Sequence, residues 1–477
     1  MWYNIIRGSV FRRRDYAPDR GTKMKIIING CGKIGQSLAS TLCAEGNDVT
    51  CIDTNRMLIE NLTDMYDVMG ICGNGADSTV LKEAGIDGAD LLVSVSGSDE
   101  LNMLSCFLGR RMGAKNTIAR IRNPEYNDES LNLLRQELEL SVAINPEKLT
   151  AHEIYNVLKF PSAVNIEPFS RGLEMVEIRL KPDSVLDGMT LHKLRTHYTS
   201  KILVCCVRRG DDVYIPTGSF ELKSNDVIGI TGAPSEIHKF LKELNLLRRR
   251  AKDIMIIGGS RIARYLADMI ISGGSNVTII EKNRMVCEAL SRDISEANII
   301  CADGTDHDVL LEEGIRSCDA FVTLTGFDEE NILMSIFASS QSVPKVVTKI
   351  NSESMLKMGT ELGIDTPVCP HNAVSNVVLR YVRALRNSEG SSVETLYKLF
   401  DGAAEALEFR VDGEAPFTGA ALKALKFKKN TMLAGIIRNR RIIIPGGDDC
   451  IMAGDRVIVI STGEPTGKLA DIFEADR

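Results

Sequence analysis

Apolar residues recur along the chain in two alternating rhythms. Short runs rich in Ile, Val and Leu, at 26–28, 49–52, 91–95 and 117–121, carry the signature of strands buried on both faces. Between them the apolar positions fall at helical spacing. Ile34, Leu38 and Leu42 stand at i, i+4 and i+8, and Gly46 is placed to end that helix. Strands alternating with amphipathic helices predict an α/β fold: a doubly wound parallel sheet with right-handed crossovers and helices on both faces.

The pattern occurs twice. Gly30 and Gly258 are 228 residues apart, as are Asp53 and Glu281. Gly75 and Gly304, Asp99 and Asp328, Asn102 and Asn331, and Arg120 and Lys349 are 229 apart. The offset continues through Pro216 and Pro445, Gly218 and Gly447, and Asp226 and Asp455. A unit of about 225 residues is therefore duplicated. Each copy opens with a Rossmann-like domain, expected at 24–160 and 252–386. A small α+β module comes after each, at 161–247 and 393–477, in which strands at 201–207, 213–215 and 227–230 precede one helix at 235–244.

Composition narrows the class. A chain of 477 residues holds several domains, and its 44% hydrophobic and 25% charged residues are ordinary for globular proteins. A net charge of −7 gives no general attraction to nucleic acid, and none is expected as a partner. The basic run Arg248, Arg249, Arg250 reads as a solvated linker. The 12 cysteines show no C-x-x-C spacing, and Cys51, Cys72 and Cys301 lie in apolar runs as expected of small buried residues in a reducing compartment. No run approaches the roughly 18–20 apolar residues of a membrane span. Residues 1–23, with Trp2 and the cluster Arg12, Arg13, Arg14, differ in character from the rest of the chain. Met24 reads as the true start; the alternative is a short basic arm touching a membrane surface.

Candidate chemistry sits in the glycine loop after the first strand: Gly30, Cys31, Gly32, Lys33, Ile34, Gly35. The first glycine makes a tight turn, the second lets backbone approach a pyrophosphate, and the third lets helix pack on strand. The helix N-terminus then meets the phosphate. Asp53 ends the second strand, where an acid accepts hydrogen bonds from ribose hydroxyls and disfavours a 2′-phosphate, so NAD or NADH is expected rather than NADP. Ser96 and Gly97 end the fourth strand at the switch-point crevice. Asp99 and Asn102 are expected to cap the next helix. Arg120, ending the fifth strand, reads either as a ligand-phosphate partner or as half of a surface salt bridge. In the second copy the loop is Gly258, Gly259, Ser260, Arg261, Ile262, Ala263, and Glu281 keeps the acid. Serine at the position of closest phosphate approach predicts weaker binding or none.

A dehydrogenase is the rival reading. None of the six histidines, His152, His192, His197, His238, His307 and His371, recurs at the repeat offset, and none has a recognisable catalytic partner. No G-K-[ST] phosphate loop is present. No catalytic residue is assigned and no metal is expected.

The motifs MKIIINGCGKIG at 24–35, VTCID at 49–53, GNG at 73–75, SDELNM at 98–103 and ARIR at 119–122, set in a doubled arrangement of N and C modules, carry a family resemblance. From Met24 onward the chain resembles the nucleotide-binding subunits of Trk-type potassium uptake systems, built of tandem RCK modules. The resemblance implies a cytoplasmic regulatory subunit, peripheral on the inner face of the membrane and docked on a potassium-conducting integral membrane partner of the TrkH or TrkG kind. It implies self-association into a ring, two chains supplying four N-type domains. The implied NAD site falls on Gly30 to Ile34, Asp53, Ser96, Gly97 and Arg120, with ADP and ATP as competitors. A second, weaker site falls on Gly258 to Ile262, Glu281, Thr325, Gly326 and Lys349. Charge near Lys33 and Arg120 is the candidate discriminator among ligands. A free-standing redox sensor shares every one of these motifs.

Overall fold

The computed structural model describes residues 23–126, 128–159, 163–169, 172–182, 184–244, 246, 251–364, 366–387, 393–462 and 468–474. The expectations for residues 1–22, including Trp2 and Arg12 to Arg14, and for Arg248 to Arg250 lie outside the described residues.

The first unit runs β1 (Lys25–Asn29), α1 (Lys33–Ala44), β2 (Asp48–Asp53), α2 (Arg56–Met65), β3 (Met69–Cys72), α3 (Ser78–Glu83), β4 (Leu91–Ser94), α4 (Asp99–Arg111), β5 (Thr117–Arg120), α5 (Asp128–Glu137), β6 (Val142–Ile144) and α6 (Pro146–Lys159). Its six strands are parallel in the order β3-β2-β1-β4-β5-β6, the doubly wound arrangement. Ile26, Ile28, Leu91, Leu92 and Val93 are buried, which accounts for the unbroken apolar runs. Helix α1 buries Leu38 and Leu42, and Gly46 takes the left-handed conformation just past its end (φ 75°).

The first small module contains β7 (Asn165–Pro168), β8 (Glu174–Arg179), α7 (Leu191–His197), β9 (Ile202–Arg209), β10 (Asp212–Tyr214), β11 (Val227–Gly232) and α8 (Pro234–Glu243). Its antiparallel sheet is ordered β10-β9-β11-β8-β7. Strands β7 and β8 and helix α7 precede the elements expected from sequence; α7 is only seven residues long, too short for a clear periodicity.

The second copy repeats the plan. It runs β12 (Asp253–Ile257), α9 (Arg261–Ser272), β13 (Asn276–Glu281), α10 (Arg284–Asp293), β14 (Asn298–Cys301), α11 (His307–Glu312), β15 (Ala320–Thr323), α12 (Asp328–Ser340), β16 (Lys345–Lys349), α13 (Glu353–Glu361), β17 (Pro367–Val368) and α14 (Pro370–Asn387). The parallel order is β14-β13-β12-β15-β16-β17. Then come β18 (Val393–Leu399), β19 (Ala404–Arg410), β20 (Thr431–Arg438), β21 (Arg441–Ile443) and β22 (Arg456–Ser461), antiparallel as β18-β19-β22-β20-β21. Single 3-10 turns, Leu422–Ala424 and Leu469–Ile472, stand where the first module has helices.

The halves exchange their closing helices. Helix α6 of the first half buries Ala151, Ile154, Val157 and Leu158 in the core of the second, against Ile262, Leu266 and Ile270 of α9. Helix α14 buries Val374, Val378 and Val382 in the core of the first, against Leu38 and Leu42 of α1. Ser37 and Ser375 share a hydrogen bond of 2.9 Å, Tyr381 donates to Asn116 at 3.0 Å, and Arg383 pairs with Glu45. The small modules also pack on each other. Phe169 meets Tyr397 with ring centroids 4.8 Å apart, Leu173 fills the space beside Gly435, and Phe400 lies over Gly229.

Where α6, β7 and α14 meet, Arg380 pairs with Glu167 at 3.1 Å. Burial pushes the Glu153 carboxyl up to about 7, aided by Glu167, and pushes Glu167 up to about 7, aided by Glu177 and opposed by Arg380. Both folded values exceed that of an unfolded glutamate, about 4.3. The native state therefore holds extra protons between about pH 4.5 and 7, and stability falls as pH rises through that window. Glu153→Gln is expected to flatten the fall between pH 5.5 and 8 and to raise stability at pH 8 by about 1–2 kcal/mol. Urea titrations at the two pH values measure this; an unchanged difference would contradict it.

Candidate functional site

The crevice lies at the carboxyl ends of β1, β2, β4 and β5. Strand β1 is flanked by β2 on one side and β4 on the other, so the order of winding reverses there and the loops after β1 and β4 splay apart. Gly30 turns the chain at φ 98°, and a Cβ there would lie 2.6 Å from the Ser96 amide nitrogen. The glycine loop is thus laid against the loop after β4. Gly32 and Lys33 are exposed, Ile34 is half-buried and Cys31 is buried. A Cβ on Gly32 would meet nothing within 4 Å, so the surface above the loop is open. No side chain caps α1, whose first amides point into that opening.

Asp53 supports the loop from below. One carboxylate oxygen accepts from the Cys31 amide at 2.7 Å, the other from the Asn55 amide at 2.8 Å. Each oxygen keeps accepting capacity for a further donor.

On the opposite wall Asn102 is the organiser. Its Oδ1 accepts from the Ser96 amide (2.8 Å), Ser96 Oγ (2.7 Å) and Ser94 Oγ (3.0 Å). Its Nδ2 donates to the carbonyls of Ser96 (3.2 Å) and Arg120 (3.0 Å). The expectation that Asp99 and Asn102 cap α4 is corrected. Ser98 makes the cap, its Oγ accepting from the Leu101 amide, because Asp99 is turned away to take the amides of Arg122 and Asn123. Beneath lies a network that sequence reading missed. Asn29 donates to Ser94 Oγ and Ser105 Oγ, and Ser105 donates to the Gly75 carbonyl. A polar residue ending an otherwise apolar strand was its only signal.

Arg120 is half-buried at the rim. Its Nη1 donates to the carbonyls of Val95 (3.3 Å) and Ser96 (3.2 Å). Its Nε is buried and has no hydrogen-bond partner among the described residues. Among the described residues Arg120 forms no surface salt bridge; the adjacent Arg122 pairs with Glu147, at 3.7 Å. Burial holds the Arg120 guanidinium below its usual range, with Arg122 and Arg261 acting in the same direction against Glu147 and Asp99. Arg261 belongs to the second glycine loop. Reciprocally, Lys349 and His371 are shifted down first by burial and then by Lys33. Each glycine loop therefore contributes positive potential to the other half's crevice.

The second crevice has the same frame and different chemistry. Gly258 turns at φ 97°, and Glu281 accepts from the amides of Gly259 (2.6 Å) and Asn283 (2.7 Å). Asn331 binds Thr325 and the Lys349 carbonyl as Asn102 binds Ser96 and Arg120. Gly326 is exposed and Ile262 buried. Here Ser260 caps α9, its Oγ accepting from the Ala263 amide at 3.4 Å, and so covers the helix end that α1 leaves open. Lys349 is 8% exposed.

The cysteine expectation is corrected in part. Cys51 is buried, but Cys72 and Cys301 are exposed, because each ends an edge strand of its sheet. Among the described residues no group of three or more His, Cys, Asp and Glu is placed to hold a metal, and no helix is long and apolar enough to cross a membrane.

Comparison with known proteins agrees with this architecture. The TrkA-N domain model matches residues 26–146 and 254–370, and the TrkA-C domain model matches 175–245 and 406–474. A Trk system potassium uptake protein TrkA homolog of Archaeoglobus fulgidus is 30% identical over 454 residues, covering 94% of this chain and all of that one. TrkA homolog 1 of Methanosarcina mazei is 31% identical over 464 residues with the same coverage. The GsuK channel shares the fold at a TM-score of 0.61 and 17% identity, over 95% of this chain and 80% of that one. The GsuK RCK domain gives 0.60 and 17%, over 94% of each. Paired Rossmann domains, paired small modules and full-length similarity at this level together place the chain in the family of TrkA potassium uptake proteins.

Proposed function

We propose that this protein is the cytoplasmic, nucleotide-sensing regulatory subunit of a Trk-type potassium uptake system, and that it is not an enzyme. The observation that carries the reading is the first crevice: an uncapped helix N-terminus, an acid at the end of β2 beside it, and a buried arginine Nε with no partner among the described residues. These groups suit an adenine dinucleotide or ADP and ATP. Asp53, oriented by the Asn55 amide, holds the ribose edge, the α1 amides take the phosphates, and Arg120 with Lys33 and Arg261 balances their charge. A structure of similar fold is the GsuK channel bound to NAD (TM-score 0.61, 18% identity).

Ligand-dependent change in how the two halves meet is the proposed signal to a potassium-conducting membrane partner of the TrkH or TrkG kind. A ligand shifts such an equilibrium only by its difference in affinity for the two states. Cations from both halves around one crevice supply that difference, since ligands of different phosphate charge are held unequally. Two chains would complete a ring of four Rossmann domains. Leu104 on α4 and Leu333 on α12, at equivalent positions, are 48% and 67% exposed, and Ile336, Met358 and Leu362 extend the second patch. Apolar surface repeated at equivalent positions suits self-association.

The test is calorimetric titration of the full chain with NAD, NADH, ADP and ATP, read as sites per chain, alongside co-purification with a multi-spanning membrane protein. One site per chain is expected. No binding by any of the four would remove the sensing role and leave a scaffold. Ser260→Gly supplies a second prediction: it uncaps α9 at a cost of only a few tenths of a kcal/mol. A second, weaker binding event is expected in this variant, and its absence would show that more than Ser260 closes the second half.

A further inference from the structure

Strand β9 of the first small module contains a β-bulge. Its pairing with β11 steps from Cys206 opposite Gly229 to Val204 opposite Ile230, leaving Cys205 as the extra residue. Regular alternation would send Cys205 and Cys206 to opposite faces of the sheet. The bulge sends both to one face. Val204 and Val207 join the module's own core, while Cys205 and Cys206 both join the cluster shared with the second module. The second copy has the same bulge between Leu433 and Gly435, with Ala434 as its extra residue. The bulge thus belongs to the fold, and the two sulfurs on it belong to the first copy alone.

Met175, on β8 across the intervening strand β11, brings a third sulfur to the pair. Cys205 Sγ lies 3.7 Å from Met175 Sδ and 3.9 Å from Cys206 Sγ, and all three residues have no exposed surface. A metal ion held by three sulfurs at about 2.3 Å in a plane sets those sulfurs about 4.0 Å apart. Two thiolates and one thioether, only three donors, favour a soft monovalent cation over zinc, which takes four ligands in a tetrahedron, and over calcium or magnesium, which take oxygen ligands. Glu177, buried on the same face of β8 two residues from Met175, lies beyond the three sulfurs. The first module alone provides all three donors, and the second module seals them from water.

We propose that Cys205, Cys206 and Met175 form a binding site for one soft monovalent cation of the copper(I) class. Binding replaces the two thiol protons, which leave to solvent, and forms two metal–thiolate bonds and one metal–thioether bond with no change in oxidation state. The site stands at the contact between the small modules, so occupancy fixes the face on which Phe400 packs.

The experiment uses the full chain with its more accessible cysteines removed (Cys43→Ser, Cys72→Ser, Cys301→Ser, Cys450→Ser), titrated anaerobically with copper(I) against a chromogenic copper(I) chelator. Adding Cys205→Ser and Cys206→Ser should lower tight binding by one equivalent per chain. Met175→Leu conserves volume and tests the site even where the double variant folds poorly. It should weaken that equivalent at least tenfold, and X-ray absorption should report two sulfurs at the metal instead of three. Binding that is unchanged in a folded double variant, or a Met175→Leu protein with wild-type affinity and three sulfurs, would overturn the proposal.

Discussion

Asp53→Ala is expected to reduce dinucleotide affinity at the first crevice at least 100-fold. The carboxylate receives two charge-assisted hydrogen bonds, from Cys31 and Asn55, which fix the height of the glycine loop. Hydrogen bonds to a charged group contribute about 1.5–3 kcal/mol each, and the variant also removes the ribose acceptor. A net loss near 3 kcal/mol corresponds to that change in Kd. Asp53→Asn should fare little better, because both oxygens face amide donors and the introduced NH2 must oppose one of them. The ratio of NADP to NAD affinity should rise in Asp53→Ala, since a 2′-phosphate no longer meets a carboxylate. Calorimetry with both dinucleotides reads both effects. Wild-type affinity in a folded Asp53→Ala protein would move the site elsewhere.

Gly35→Ala is expected to cost about 3 kcal/mol or more and to abolish binding in the first half. A Cβ at Gly35 would lie 1.9 Å from the Gly30 carbonyl oxygen, a backbone atom that cannot yield without opening the turn. The same substitution exists naturally at the equivalent position, Ala263, where the helix starts with a serine cap. Ala263→Gly should therefore cost the helix propensity difference, up to about 1 kcal/mol, plus about 0.8 kcal/mol for the buried methyl, and leave the turn intact. Urea denaturation of both variants decides it, and equal costs would mean the two turns are interchangeable.

The contrast between these turns shows what a sequence discloses. Glycine loops, the acids at 53 and 281 and the alternation of strands were legible because their determinants are local: turn geometry, strand length and helical period. The duplication was legible because both copies keep the same spacing. Arg120 was ambiguous for a physical reason, since its role depends on whether its nitrogens find partners, and burial decides that. The capping roles of Asp99 and Asn102 were misread because Ser98 competes for the same helix end. The exchange of α6 and α14 was not legible at all. Val374, Val378 and Val382 announce an apolar stripe, but periodicity does not say which surface covers it.

That exchange sets a timetable for synthesis. Ser37 of α1 waits for Ser375 of α14, 338 residues downstream. At roughly 5–20 residues per second, the apolar flank of α1 emerges from the ribosome roughly 20–70 s before its own cover exists. A nascent first half must spend that interval shielded by a chaperone or by transient contacts, and a premature stop before residue 370 would release a product in which the apolar surface that α14 covers stays permanently exposed. Truncated chains ending after the first small module should accordingly be aggregation-prone, although every residue of their own repeat is present.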